Sequence, residues 1–148
     1  MNLYLVQHGK SRSKEEDVNR PLNAEGIKQT ENVAGKFIQK KLENPAIIFC
    51  SNKLRAKQTA EILGQIINPA KGINVSDDLN PDDNPFVWFK KINKIDETVM
   101  IVGHLPHLKR LASLLIPDNE SINFVNSGIV CIAKEKSKWI LTDVVLQD

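Results

Sequence analysis

A chain of 148 residues with 20 basic and 18 acidic side chains, a net charge of +2 and 41% hydrophobic residues has the size and balance of one ordinary soluble globular domain. That balance argues against nucleic acid or a membrane surface as the main partner, and no apolar run reaches the roughly 18 residues of a membrane span. The N-terminus has no secretory signal pattern. Cys50 and Cys131 sit in separate apolar runs without zinc or redox spacing, so both are expected to be free buried thiols of a cytoplasmic protein.

Leu3-Tyr4-Leu5-Val6 is an apolar run that ends at Gln7-His8-Gly9, the pattern of a buried strand meeting a sharp break. A polar loop follows from Lys10 to Pro21. Asn23 reads as a helix N-cap, and Ile27, Thr30, Ala34, Phe37, Ile38 and Leu42 recur at helical spacing, which predicts a helix over about 24–42. Ala46–Cys50 is apolar throughout, as a strand covered on both faces would be. Ser51 is expected to cap a helix over about 52–67, closed by Asn68-Pro69 and Gly72.

Ile73–Val75 reads as a weak third strand, and the acidic, Pro-rich loop Asp77–Pro85 follows it. Asn84-Pro85 should start a helix over about 85–94 with Phe86, Phe89 and Ile92 facing inward. Thr98–Val102 is a fourth apolar strand ending at Gly103-His104, and a helix to about Leu115 comes next. Pro117-Asp118-Asn119 is expected to turn. Ile129–Ala133 and Trp139–Leu146 flank a polar segment and suggest an antiparallel hairpin. Strands alternating with helices predict a three-layer α/β sandwich with a mainly parallel central sheet, in a single domain spanning 1–148.

Two strands thus end alike, Leu-Val-Gln-His-Gly at Leu5–Gly9 and Ile-Val-Gly-His at Ile101–His104. If they are neighbours, both imidazoles face one site at the C-terminal rim of the sheet, where open α/β folds place their chemistry. A third strand end leads through Ser51 to Arg55, and Arg20 lies in the loop after the first strand. Two His and two Arg suit phosphoryl transfer. A neutral imidazole can attack phosphorus and carry it covalently, while guanidinium groups and helix N-termini hold the equatorial oxygens.

These segments together resemble the histidine phosphatase (phosphoglycerate-mutase-like) superfamily, and most closely its small SixA-type phosphohistidine phosphatase branch. Tyr4–Gly9 is similar to the family's strand and Arg-His-Gly motif, and Arg20-Pro21-Leu22 with Gly26 to its Arg-Pro-Leu-x-x-x-Gly segment. Ser51–Ala60 resembles the Ser-x-x-x-Arg-Ala-x-Gln-Thr signature, and Val102–Pro106 the strand end with the second histidine. The resemblance covers nearly the whole chain and implies the family fold without a large cap insertion. It also implies His8 as nucleophile, with His104 and Arg55 completing the catalytic set and Arg20, Gly9 and Gln7 at the phosphate. It implies no metal and no organic cofactor. The substrate would be a phosphohistidine on a signalling or phosphotransfer protein.

One position departs from the pattern: Gln7 stands where the family carries Arg. Gln keeps an N–H donor but loses the charge and the bidentate fork. Asp82 is a candidate general acid, and it or Asp83 could instead cap the helix that follows. His107 reads as a helix-surface residue, and the clusters Lys36/Lys40/Lys41 and Lys90/Lys91/Lys94 as solvated faces. A phosphatase of small phosphate esters is one competing reading. A catalytically weakened phosphate- or phosphoprotein-binding module, suggested by Gln7, is another.

Overall fold

The computed structural model describes residues 1–117 and 122–148. Its elements, in chain order, are β1 (Asn2–Gln7), α1 (Ala24–Gln39), β2 (Ile47–Ser51), α2 (Leu54–Ile67) and β3 (Ile73–Ser76), then α3 (Pro85–Ile92), β4 (Val99–Gly103), α4 (His107–Leu115), β5 (Ile129–Glu135) and β6 (Lys138–Val145). The six strands form one sheet in the order β3-β2-β4-β1-β5-β6. β3, β2, β4 and β1 run parallel, and β5 and β6 add an antiparallel edge. This is the expected mainly parallel sandwich with its C-terminal hairpin. The turn expected at Pro117-Asp118-Asn119 lies outside the described residues from Asp118 onward.

Alternation along the strands divides the core in two. Leu3 and Leu5 of β1 and Ile101 of β4 join Trp88, Ile92, Leu108 and Leu111 under α3 and α4. Tyr4, Val6, Ile48 and Val102 face the other way and meet Val33, Phe37, Ala60 and Leu63 of α1 and α2. Phe37 and Tyr4 pack edge to face with centroids 4.9 Å apart. Truncating a buried aromatic of this kind costs about 3–5 kcal/mol.

Several boundaries differ from expectation for local reasons. The Asn23 side chain caps α1 at Gly26 N–H, as expected, but α1 ends at Gln39 and Lys41 adopts a left-handed φ of 53°. The buried face of α1 is Gly26, Thr30, Val33 and Phe37, while Ile27 and Ile38 are exposed. Gly26 sets that rotation: a Cβ there would stand 2.1 Å from the Lys10 carbonyl oxygen. In α3, capped by Asn84 with Pro85 in its first turn, Ile92 is buried as expected, but Phe86, expected inward, is exposed, and Trp88 is buried. Trp88 is favoured inside because its indole N–H has a partner, Asp78 Oδ1 at 2.6 Å.

Candidate active site

β1 and β4 are adjacent and parallel, with Gln7 opposite Gly103, and the His8 N–H donates to the Gly103 carbonyl at 3.0 Å. The two histidines that follow these strand ends therefore meet, with ring centroids 4.9 Å apart. His8 Nδ1 lies 2.7 Å from the carbonyl oxygen of Gly9. A carbonyl only accepts, so Nδ1 carries the proton and Nε2 keeps its lone pair. Burial pushes the His8 pKa down from 6.5 to about 4, against the Gly9 bond but helped by the charges of Arg55 and Arg20. His8 is thus a neutral imidazole with its free nitrogen fixed, in the field of two guanidinium groups.

Besides the Gly103 bond, the backbone around His8 is fastened from two distant segments, α2 and residues 126–127. Gly9 N–H donates to Thr59 Oγ1 at 2.9 Å, and that hydroxyl donates to the Arg55 carbonyl at 2.7 Å. Asn126 Nδ2 donates to the His8 carbonyl at 2.9 Å, and Ser127 N–H to the Gln7 carbonyl at 2.9 Å. Beneath Gly9, Thr30 Oγ1 bonds the Gly26 carbonyl and Ser127 Oγ. A Cβ on Gly9 would come within 2.9 Å of Thr30 Oγ1 and 3.0 Å of Ser127 Oγ, so only glycine passes between these groups unstrained.

His104 is 1% exposed. Its Nε2 lies 2.8 Å from Ser51 Oγ, which in turn donates to Asn80 Oδ1 at 3.0 Å. The Ser51 proton being used there, His104 Nε2–H is the donor, and Nδ1 is left as a buried lone pair without a partner among the described residues. Burial pushes the His104 pKa down to about 3, assisted by His8, Arg55 and Lys53. Ser51 is thus the last residue of β2 and a partner of His104, not a helix cap. α2 begins later, at Leu54, with Lys53 at its N-cap and no side-chain cap.

Arg55 is in the first turn of α2, and burial with the neighbouring Arg20 lowers its pKa. Arg20 adopts a left-handed φ of 49° before Pro21, and its guanidinium bonds the Arg12 carbonyl and Ser11 Oγ within its own loop. Gln58 Oε1 holds that loop by accepting Leu22 N–H at 2.7 Å. Gln7 is half-buried, and its amide oxygen has no partner among the described residues.

Asp82 is exposed, two residues past Asn80 on the loop that reaches Ser51. Neither Asp82 nor Asp83 caps α3. Asn84 does, and Asp83 Oδ2 instead accepts Asn80 N–H at 2.8 Å. His107, expected on the surface, is 0% exposed with both ring nitrogens unpartnered among the described residues, because α4 begins at His107 and turns that ring inward. Asn80, Asn126 and Ser127 join the site unannounced. Ser51, Gln58 and Thr59 stand in the Ser51–Ala60 signature, which marked the residues but not what their side chains hold.

The fold is that of several solved phosphatases. A protein histidine phosphatase SixA complexed with tungstate superposes with a TM-score of 0.87 at 22% identity, over 99% of this chain and 97% of that one. The Agrobacterium tumefaciens protein described as a phosphohistidine phosphatase SixA gives 0.82 at 23% identity, over 97% and 96%. A mycobacterial glucosyl-3-phosphoglycerate phosphatase gives 0.73 at 14% identity, over 99% of each chain. No curated protein sequence matches. The sequence model of the histidine phosphatase superfamily (branch 1) matches residues 3–80, a span that holds His8, Arg20 and Arg55 and stops before His104. More than half the chain thus matches one family by sequence while the whole chain shares its architecture, and the protein belongs to the histidine phosphatase superfamily.

Proposed function

We propose that the protein is a phosphatase that works through a covalent phosphohistidine on His8 and removes phosphate from phosphohistidine on a partner protein. The observation that carries the reading is the His8 ring: Nδ1 bound to the Gly9 carbonyl, the pKa held near 4, and Arg55 and Arg20 close enough to act on it. In the first step His8 Nε2 attacks phosphorus as the bond to the substrate nitrogen breaks, and the leaving imidazole keeps the electron pair and takes up a proton. Asp82 is the candidate source of that proton. In the second step water attacks phospho-His8, inorganic phosphate departs and the neutral ring returns. Arg55, Arg20, Gln7, the Gly9 segment and His104 would hold the phosphoryl oxygens.

The phosphohistidine preference draws support from the likeness in fold to proteins described as phosphohistidine phosphatases. It also follows from chemistry, since imidazole leaves more readily than an alkoxide and makes less demand on an exposed acid. One observation favours a second reading, a weakened phosphoprotein-binding module: Gln7 brings no charge, and its amide oxygen is buried without a donor among the described residues. Incubation with phosphohistidine, an aryl phosphate and a sugar phosphate separates the readings. Phosphohistidine should be hydrolysed fastest, with an acid-labile label on the protein that His8→Ala abolishes. A label that survives His8→Ala refutes the mechanism, and binding without turnover selects the module.

A further inference from the structure

Around Arg20 and Arg55, the loop after β1 and the start of α2 form an open cavity of about 600 Å³. Lys14, Arg20, Lys53, Arg55 and Lys57 line it, and no carboxylate does. Two guanidinium groups and the histidines already suffice for one phosphoryl group, so three lysines are left over. Elsewhere five lysines are neutralised within the fold. Lys10, Lys36, Lys40, Lys71 and Lys91 each lie within 2.9 Å of a carboxylate oxygen. Among the described residues Lys14, Lys53 and Lys57 have no such partner, and unlike the chain's other unpaired lysines these three line one cavity together with Arg20 and Arg55.

We propose that this cavity binds an acidic segment of the phosphorylated substrate, seating its carboxylates against Lys14, Lys53 and Lys57 while the phosphoryl group reaches His8. The proposal rests on the phosphatase reading above and adds what the enzyme recognises beyond the phosphate. Two features favour a peptide over a compact second phosphate. The lysines are point charges spread over two elements, suited to carboxylates along a chain, whereas a phosphate is best gripped by converging forks. Val18, 78% exposed, and Leu54 add apolar surface to the same wall. The cavity is open, so each ion pair contributes little, and together they give about a tenfold preference.

Fluorescence anisotropy with peptides bearing a non-hydrolysable phosphohistidine analogue tests this without requiring turnover. A peptide with acidic flanks should bind about tenfold more tightly than one with neutral flanks. The difference should shrink as salt rises and vanish in Lys14→Glu/Lys57→Glu. The exposed Lys14→Glu alone, expected to narrow it, serves if the double variant does not fold. Equal affinity for the two peptides, or a preference that survives charge reversal, overturns the proposal. Methylenediphosphonate binding more tightly than the acidic peptide also overturns it, in favour of a small bisphosphate ligand. Release of phosphate from phosphoramidate tests the phosphatase reading separately, so the two can fail independently.

Discussion

His8 and His104 stand ring to ring, with centroids 4.9 Å apart and planes inclined by 59°, just beyond the rung that pairs Gln7 with Gly103. Both rings are neutral near pH 7, and each has one committed nitrogen: His8 Nδ1 at the Gly9 carbonyl and His104 Nε2 at Ser51. An anion entering between them meets lone pairs, which repel it unless a proton arrives as well.

Binding of inorganic phosphate should therefore draw up about one proton per site, largely onto His104, because a nearby negative charge favours the imidazolium. Titration calorimetry in buffers of different ionisation enthalpy measures this uptake. His104→Asn should reduce it to near zero, and a buffer-independent heat in the unaltered protein would sink the idea.

The same depressed values make the fold acid-sensitive. As pH falls below 6.5, the unfolded chain protonates these histidines, while the folded chain resists until about 4 at His8 and about 3 at His104. The unfolded state then binds more protons, so stability declines as pH falls from 6.5 toward 4. Urea midpoints at pH 7 should exceed those at pH 5, and His104→Asn should flatten the profile. A higher midpoint at pH 5 would contradict this.

Gln7→Arg tests the one departure from the family pattern. A charge-assisted hydrogen bond contributes about 1.5–3 kcal/mol. If made in the transition state, it should raise kcat/KM for phosphohistidine roughly tenfold to a few hundredfold. An unchanged or lower rate would show that the site is already complete without that charge.

Ser51→Ala leaves the His104 Nε2–H without its acceptor and Asn80 without its donor. Leaving a buried polar group unpaired costs about 1–3 kcal/mol. Turnover should fall about tenfold or more, and the His104 ring nitrogen shifts in the NMR spectrum should move. Ser51→Thr, which keeps the hydroxyl, should restore both. Loss of rate with unmoved His104 resonances would separate Ser51 from His104.

Two glycines of α1 should respond in opposite directions. A Cβ at Gly26 meets the Lys10 backbone at 2.1 Å, so Gly26→Ala should destabilise the protein by about 1–3 kcal/mol and disturb the segment that follows His8. At Gly35 an added Cβ meets nothing within 4 Å. Gly35→Ala should therefore stabilise by about 0.5–1 kcal/mol. Urea titrations of the two variants read both signs.

The strand ends were legible because an apolar run stopped by Gly is a local signal, and the placement of both histidines followed once β1 and β4 proved adjacent. Helix faces were less legible where small residues decide them. Gly26 turns Ile27 outward, and the indole partner Asp78 draws Trp88 inward in place of Phe86. How the site is fastened was not legible, even where the Ser51–Ala60 signature marked the residues that do it. Ser51 looked like a cap because Ser caps helices, but its hydroxyl serves a ring 53 residues away. Asn126, 118 residues from His8, carries no sequence pattern that would tie it there.

That fastening has a kinetic consequence. The hydrogen bonds that set the His8 segment span 50 residues to Thr59 and 118 to Asn126, and the Thr30–Ser127 pair beneath it spans 97. Contacts of such long range are slow to close in a folding chain. Helix formation can precede them, so on refolding the helical signal is expected to return before the chemistry. Recovery of catalysis after dilution from denaturant is a clock for the docking of the 126–135 segment onto β1.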